Sequence, residues 1–145
     1  MRGRSEFGTG CNARAPNRIP HPGIMACARS YQPGRWQQAN AVVRIVFRAT
    51  RYHWKPWGAT LFGQLQRASL SVQLNIAEGY GRRQSGPFRN HLEIAYGSAL
   101  ETADLLRLLQ DEEVVPPELA QEALAHCIRG QKLIRGLIKR LGPRR

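Results

Sequence analysis

The sequence predicts an all-α protein, an antiparallel up-down-up-down four-helix bundle occupying residues 31–145. Three observations carry that prediction. Four long stretches repeat their apolar side chains at helical spacing, and each ends at proline or glycine. No stretch alternates polar and apolar residues as a half-buried strand would. Short connections between helices of similar length favour packing of each helix against its neighbours in sequence.

After a Pro33-Gly34 turn, the first helix is expected over about Arg35 to Tyr52. Its inner face is marked by Trp36, Asn40, Val43, Phe47 and Thr50, flanked by Val42 and Val46. His53-Trp54-Lys55-Pro56-Trp57-Gly58 ends it, because proline disfavours helix at the preceding residue and glycine opens the turn. The second helix runs from about Ala59 to Glu78 on Leu61, Leu65, Ala68, Val72 and Asn75, widened by Leu70 and Ile76. Gly79 and Gly81 are expected to stop it, and to supply the positive φ of a tight turn. Ser85 as N-cap and Pro87 in the first turn open the third helix. Its seam of Phe88, Leu92, Ala95, Ala99, Thr102, Leu106 and Leu109 keeps an a/d heptad pattern. Asp111-Glu112-Glu113 and Pro116-Pro117 make the next turn, and Glu118 puts negative charge where the dipole of the fourth helix favours it. Ala120, Leu124, Cys127, Gln131, Ile134, Ile138 and Leu141 carry that helix to Gly142-Pro143.

Residues 1–30 read as something other than fold. The first ten resemble translated polylinker, prolines break any periodicity, and Met25 offers an alternative start. The N-terminus has Arg2 and Arg4 but no apolar run of the kind a secretory signal needs. The longest uncharged stretch, Pro56 to Gln66, is far short of a membrane span. Three scattered cysteines, Cys11, Cys27 and Cys127, fit neither a disulfide framework nor a zinc site and point to a reducing, cytoplasmic setting.

Charge is the unusual feature. The formal net charge is +12, and every basic residue except Lys55, Lys132 and Lys139 is arginine. Removing residues 1–24 takes away four arginines and one glutamate and leaves +9, so the excess belongs to the helices. Such an excess implies an anionic partner. Arg44, Arg48, Arg51 and Lys55 recur at spacings of 4, 3 and 4 on the first helix. Arg129, Lys132, Arg135, Lys139 and Arg140 on the fourth, followed by Arg144 and Arg145, are interrupted by no acid. If the first and fourth helices are neighbours, the two stripes merge into one positive surface that neutralises phosphates with little sequence preference. The alternative is two solvated helix faces. Trp54 and Trp57 flank Lys55, where they either stack on unpaired bases or, the favoured reading, cap the core or a subunit contact.

Catalytic groups are not gathered. His21, His53, His91 and His126 lie on a tail, a turn and two different helices, with no metal-ligand spacing among them. His126 beside Cys127 is at most a weak metal hint, and Gly79-Tyr80-Gly81 lacks the lysine and the strand of a phosphate loop. Neither an enzyme, nor a metal, nor a cofactor is expected.

One stretch is distinctive. Gln64-Leu-Gln-Arg67-Ala-Ser-Leu-Ser71-Val-Gln-Leu-Asn75-Ile-Ala-Glu78-Gly79-Tyr-Gly81-Arg82 is followed by Phe88 and by Leu92-Glu-Ile-Ala-Tyr-Gly97-Ser98. Both segments, in this order and separation, resemble the bacterial four-helix bundle protein family, whose first members were encoded by intervening sequences in large-subunit ribosomal RNA genes. The resemblance spans about residues 36–141. It implies a bundle that assembles into a ring-like homopentamer with a basic surface and no known catalysis. Distant relatives are accessory proteins of diversity-generating retroelements that bind the reverse transcriptase and nucleic acid. One departure is Gln73, where the family usually has proline, so the second helix should be straighter here.

The motif residues also read as architecture. Asn75 is a buried amide able to set helix register, and Glu78 is placed to pair with Arg82 or with a cation on a neighbouring helix. Gly97-Ser98 and Ala68-Ser69 are small pairs that allow close helix approach. Arg67, Arg82 and Arg83 are the positions most open to a ligand or subunit role. Together these readings predict a non-enzymatic, homo-oligomeric accessory protein that binds RNA or DNA, with a reverse transcriptase or another acidic protein as a further partner. The alternative is a protein-interaction scaffold whose basic surface meets an acidic partner without touching nucleic acid.

Overall fold

In the computed structural model, which describes residues 33–82 and 87–142, the chain forms four α-helices. They are α1 (Pro33–His53), α2 (Ala59–Gly81), α3 (Phe88–Asp111) and α4 (Pro117–Arg140), with one 3-10 turn at Pro56–Gly58. The expected tag-like segment 1–30, Arg83, Ser85, Arg144 and Arg145 lie outside the described residues.

Each helix packs on its neighbours in sequence, and α1 packs on α4, closing a ring of four. Bonded partners run in opposite directions. Between α2 and α3, Gln64 meets Glu101, Ser71 meets Ser98 and Asn75 meets His91. Arg35 meets Leu133 and Arg48 meets Glu122 between α1 and α4, while Ala99 meets Cys127 and Arg89 meets Gly142 between α3 and α4. These neighbours are therefore antiparallel.

The α3 seam is buried as the heptad pattern predicts, with Ala103 added. The α1 seam differs. Its buried side chains are Ala39, Val42, Ile45, Val46 and Ala49 together with Arg35, one residue back from the expected face. Phe47 is exposed, and Trp36, Asn40, Val43 and Thr50 are only half-buried. A step of one residue turns the face by about 100°. Two registers with the same 4-3 spacing compete here, and the small Ala39 and Ala49 bring neighbouring helices closer than bulky Trp36 and Phe47 would. On α4 the core positions are Ala120, Ala123, Cys127, Gly130 and Ile134, while Leu141 is exposed. Gly130 lies against α1, where an added Cβ would sit 3.6 Å from the Gln38 Cβ.

Two further expectations need correction. Pro33 and Gly34 belong to α1 rather than to a turn before it, since a proline in the first helical turn forgoes no hydrogen bond. Gly79 and Gly81 do not stop α2 and neither has positive φ; the helix runs through both and is capped at Arg82. Gly79 is a packing residue instead. A Cβ there would meet the His91 Cβ at 3.1 Å and the Phe88 ring at 3.2 Å, so its missing side chain lets α3 leave alongside α2. Helix α2 is continuous through Gln73.

Buried polar groups are satisfied locally. The Thr102 and Ser69 hydroxyls donate to the Ser98 carbonyl at 2.7 Å and the Gln66 carbonyl at 3.0 Å, within their own helices. Arg35, only 6% exposed, donates from Nε to the Leu133 carbonyl at 2.8 Å and from Nη1 to the Tyr80 hydroxyl at 3.2 Å. One core arginine thus ties α1 to both α4 and α2.

Candidate nucleic-acid interface

The arginine stripe of α1 is exposed as expected. Arg44, Arg48 and Arg51 line one open groove of about 950 Å³ with Phe47 and Tyr52, and Lys55 is exposed in the turn that follows. The groove is not purely basic, because Arg48 pairs with Glu122 of α4 at 2.9 Å. Both partners are about half exposed, so this pair contributes little to stability.

The α4 stripe, Arg129, Lys132, Arg135, Lys139 and Arg140, is also exposed. It runs away from the α1 stripe rather than alongside it. Because the helices are antiparallel, Arg48 lies opposite Glu122, whereas the α4 cations begin where α4 passes Gln38 and continue past Arg35. The two stripes therefore diverge from the middle of the bundle, one toward each end, rather than running side by side. Adjacency alone was the basis for expecting a merger, and adjacency says nothing about the direction in which each stripe runs.

Antiparallel packing also sorts the remaining charges. The end that holds the α2–α3 connection gathers Arg82, Arg89 and the five α4 cations. Its acids are Glu78, paired with Arg82 at 3.0 Å, and Glu93, paired with Arg89 at 2.7 Å. Arg89 also donates to the carbonyls of Ile138 and Gly142, supplying positive charge where the α4 dipole is negative. The opposite end carries Glu101, Asp104, Asp111, Glu112, Glu113, Glu118 and Glu122 against Arg44, Arg48, Arg51, Lys55, Arg67 and Arg107. One pole is strongly positive and the other nearly neutral. Sequence reasoning singled out Arg82 only as a motif position open to a ligand or subunit role and passed over Arg89, although the antiparallel topology it predicted brings both to the positive pole.

The motif residues form a polar seam between α2 and α3. Ser71 and Ser98 share a hydroxyl–hydroxyl bond of 2.8 Å. Asn75 Nδ2 donates to the Ser71 carbonyl at 2.9 Å and to Ser71 Oγ at 3.2 Å, which leaves Oδ1 facing His91 Nδ1 at 3.1 Å. An amide oxygen can only accept, so His91 carries a proton on Nδ1 in either charge state. Glu78 reaches within 4.0 Å of the same nitrogen. Arg67 is exposed and held to Gln64, Nη2 to Oε1, at 2.7 Å. Asn75 thus sets the α2–α3 register through His91. The Ala68-Ser69 pair is buried as expected, but Gly97 is exposed with nothing within 4 Å of an added Cβ, and Gly81 likewise. Within one chain, those two glycines serve no close approach.

Trp54 and Trp57 do not cap the core; both rings are exposed. His126 and Cys127 do not converge either. His126 Nδ1 bonds with Gln38 Oε1 at 2.7 Å, while the Cys127 thiol donates to the Ala99 carbonyl at 3.1 Å. Among the described residues no His, Cys, Asp and Glu side chains cluster so as to hold a metal, and no helix is long and apolar enough to cross a membrane.

No curated protein matches the sequence. The model of one protein family, described as 23S rRNA-intervening sequence protein, matches residues 34–136, from the first turn of α1 to the last third of α4. With its four antiparallel helices and the polar α2–α3 seam inside that match, the chain belongs to the 23S rRNA-intervening sequence protein family.

Proposed function

We propose that this protein is a non-enzymatic, homo-oligomeric accessory protein that binds nucleic acid through its basic pole. The observation that supports this best is charge segregation. Lys132, Arg135, Lys139 and Arg140 stand exposed on one helix with no acid of α4 nearer than Glu122, and Arg82 and Arg89 lie at the same end. Cations so arranged attract a phosphate backbone and release its counterions without reading bases. RNA and DNA both fit this chemistry, and an acidic protein, a polymerase included, would be recruited by the same surface.

Assembly is supported by a different face. The outer α2–α3 surface exposes Leu74, Ile94 and Leu108, and Gly81 and Gly97 leave open space that a second copy would fill.

The test is a salt titration of binding to labelled RNA and DNA, with sedimentation of the free protein alongside. If four α4 cations each neutralise one phosphate, log K should fall against log salt with a slope of about −3 to −4. A flat salt response, or no binding at low salt, overturns the nucleic-acid reading. A sedimenting mass of one chain overturns the oligomer.

A further inference from the structure

We infer that the α1 groove and the turn after it form a second nucleic-acid contact, one that grips unpaired bases by stacking and so selects single strands. This rests on the nucleic-acid reading above, but on different residues and a different force. The observation is where the aromatic rings are exposed. Phe47 (45%), Tyr52 (70%), Trp54 (49%) and Trp57 (67%) all stand out into solvent within eleven residues of chain. The other described aromatics, Trp36, Phe62, Tyr80, Phe88 and Tyr96, are buried or half-buried. A chain that places five rings in or against its core and leaves four exposed within eleven residues has a surface that water alone does not explain.

The chemistry around the rings narrows the partner. Arg48, Arg51, His53 and Lys55 interleave with them, and no acid lies between residues 47 and 57. Arg44, Phe47, Arg48, Arg51 and Tyr52 share the groove wall, so guanidinium planes and rings face the same space. Both are surfaces on which bases stack, and the amides of Gln37 and Gln66 in the same groove offer hydrogen bonds to base edges. A duplex hides its base faces and would gain nothing from the rings.

Nor is this pole charged enough to hold a duplex by phosphate alone, since Glu122 sits in the groove and Asp111, Glu112, Glu113 and Glu118 occupy the same end. The two poles therefore divide the work. Phosphates are held at the α4 end with strong salt dependence, and bases at the α1 end with little.

The experiment measures binding of the full chain, at high salt, to a short single strand, its duplex, and a base-free strand of equal length, in RNA and DNA forms. The single strand is expected to bind best and to quench tryptophan fluorescence. Tyr52→Ala, Trp54→Ala and Trp57→Ala should each weaken it by roughly five- to 150-fold while leaving duplex binding unchanged, and Trp57→Phe should keep most of the affinity. These side chains are exposed, so unchanged helical circular dichroism of the variants is part of the expected result. Equal losses on all three probes, unaltered single-strand affinity, or a change of sedimenting mass in place of a change in affinity would overturn the stacking contact and leave the phosphate reading intact. Failure to bind any probe, even at low salt, would overturn both.

Discussion

Cys127 shows how much one buried side chain can report. Its thiol donates to the Ala99 carbonyl at 3.1 Å, and Gln131 Nε2 donates to the same carbonyl at 3.0 Å. Burial, which penalises the charged thiolate, pushes its pKa from 9.0 up to about 11; the contact with Gln131 offsets part of that rise. The sign of the consequence follows directly. Between pH 9 and pH 11 the unfolded thiol has lost its proton while the folded one keeps it, so the unfolded state gains and stability falls as pH rises. The loss should reach at most about 2–3 kcal/mol. Urea unfolding of the protein and of Cys127→Ala, from neutral pH upward, isolates the contribution, because the variant should lack that part of the decline. A thiol held neutral is also a poor nucleophile, consistent with a structural cysteine. Arg35 teaches a related lesson: a charged residue sits at a core position of α1 because Tyr80 and Leu133 accept its hydrogen bonds.

Among the helices, glycines separate those that packing requires from those it does not. Gly79 lies under Phe88 and His91, whose Cβ is fixed by the α3 backbone and cannot swing aside. Gly79→Ala should therefore destabilise the bundle by about 1–3 kcal/mol, crowding outweighing the gain in helix propensity. Gly97 is in the middle of α3 with open space around it, so Gly97→Ala should stabilise the isolated fold by up to about 1 kcal/mol. Thermal melts of the two variants should move in opposite directions. Loss of the assembled form in Gly97→Ala, with the helices intact, would place that glycine between copies. The a/d seam of α3 was legible in sequence because its residues keep an unbroken 4-3 spacing from Phe88 to Leu109. That of α1 was not, because Trp36 and Phe47 outweighed the alanines that pack.

Across the whole molecule, the consequence of antiparallel packing is charge polarity. Seven of the ten acids share the end where α1 finishes and α4 begins, and the α4 cations are carried to the other. Reversing Lys132 and Lys139 together to glutamate should weaken binding to duplex and single strand alike, by at least about tenfold at low salt, and reduce the salt slope by about 2. Reversing Arg44 and Arg51 together should scarcely change duplex binding, because nearby acids already offset that stripe. Fluorescence anisotropy on both probes distinguishes the two. Equal effects of the two pairs would mean that polarity does not govern binding.

The sequence by itself determined the helix count, the turns after α1 and after α3, the α3 seam and the identity of the basic residues, because these depend on local periodicity, proline geometry and composition. It also singled out the polar motif on α2. What that motif does was decided by tertiary structure: Asn75 orients His91 across the interface, Gly79 admits α3, and Gly97 faces outward. The arrangement of charge into poles and the exposure of four aromatic rings at one end were likewise settled only in three dimensions. Each depends on which way neighbouring helices run and how far each is turned about its axis, and a rotation of one residue moves a side chain from core to solvent at almost no cost in local pattern.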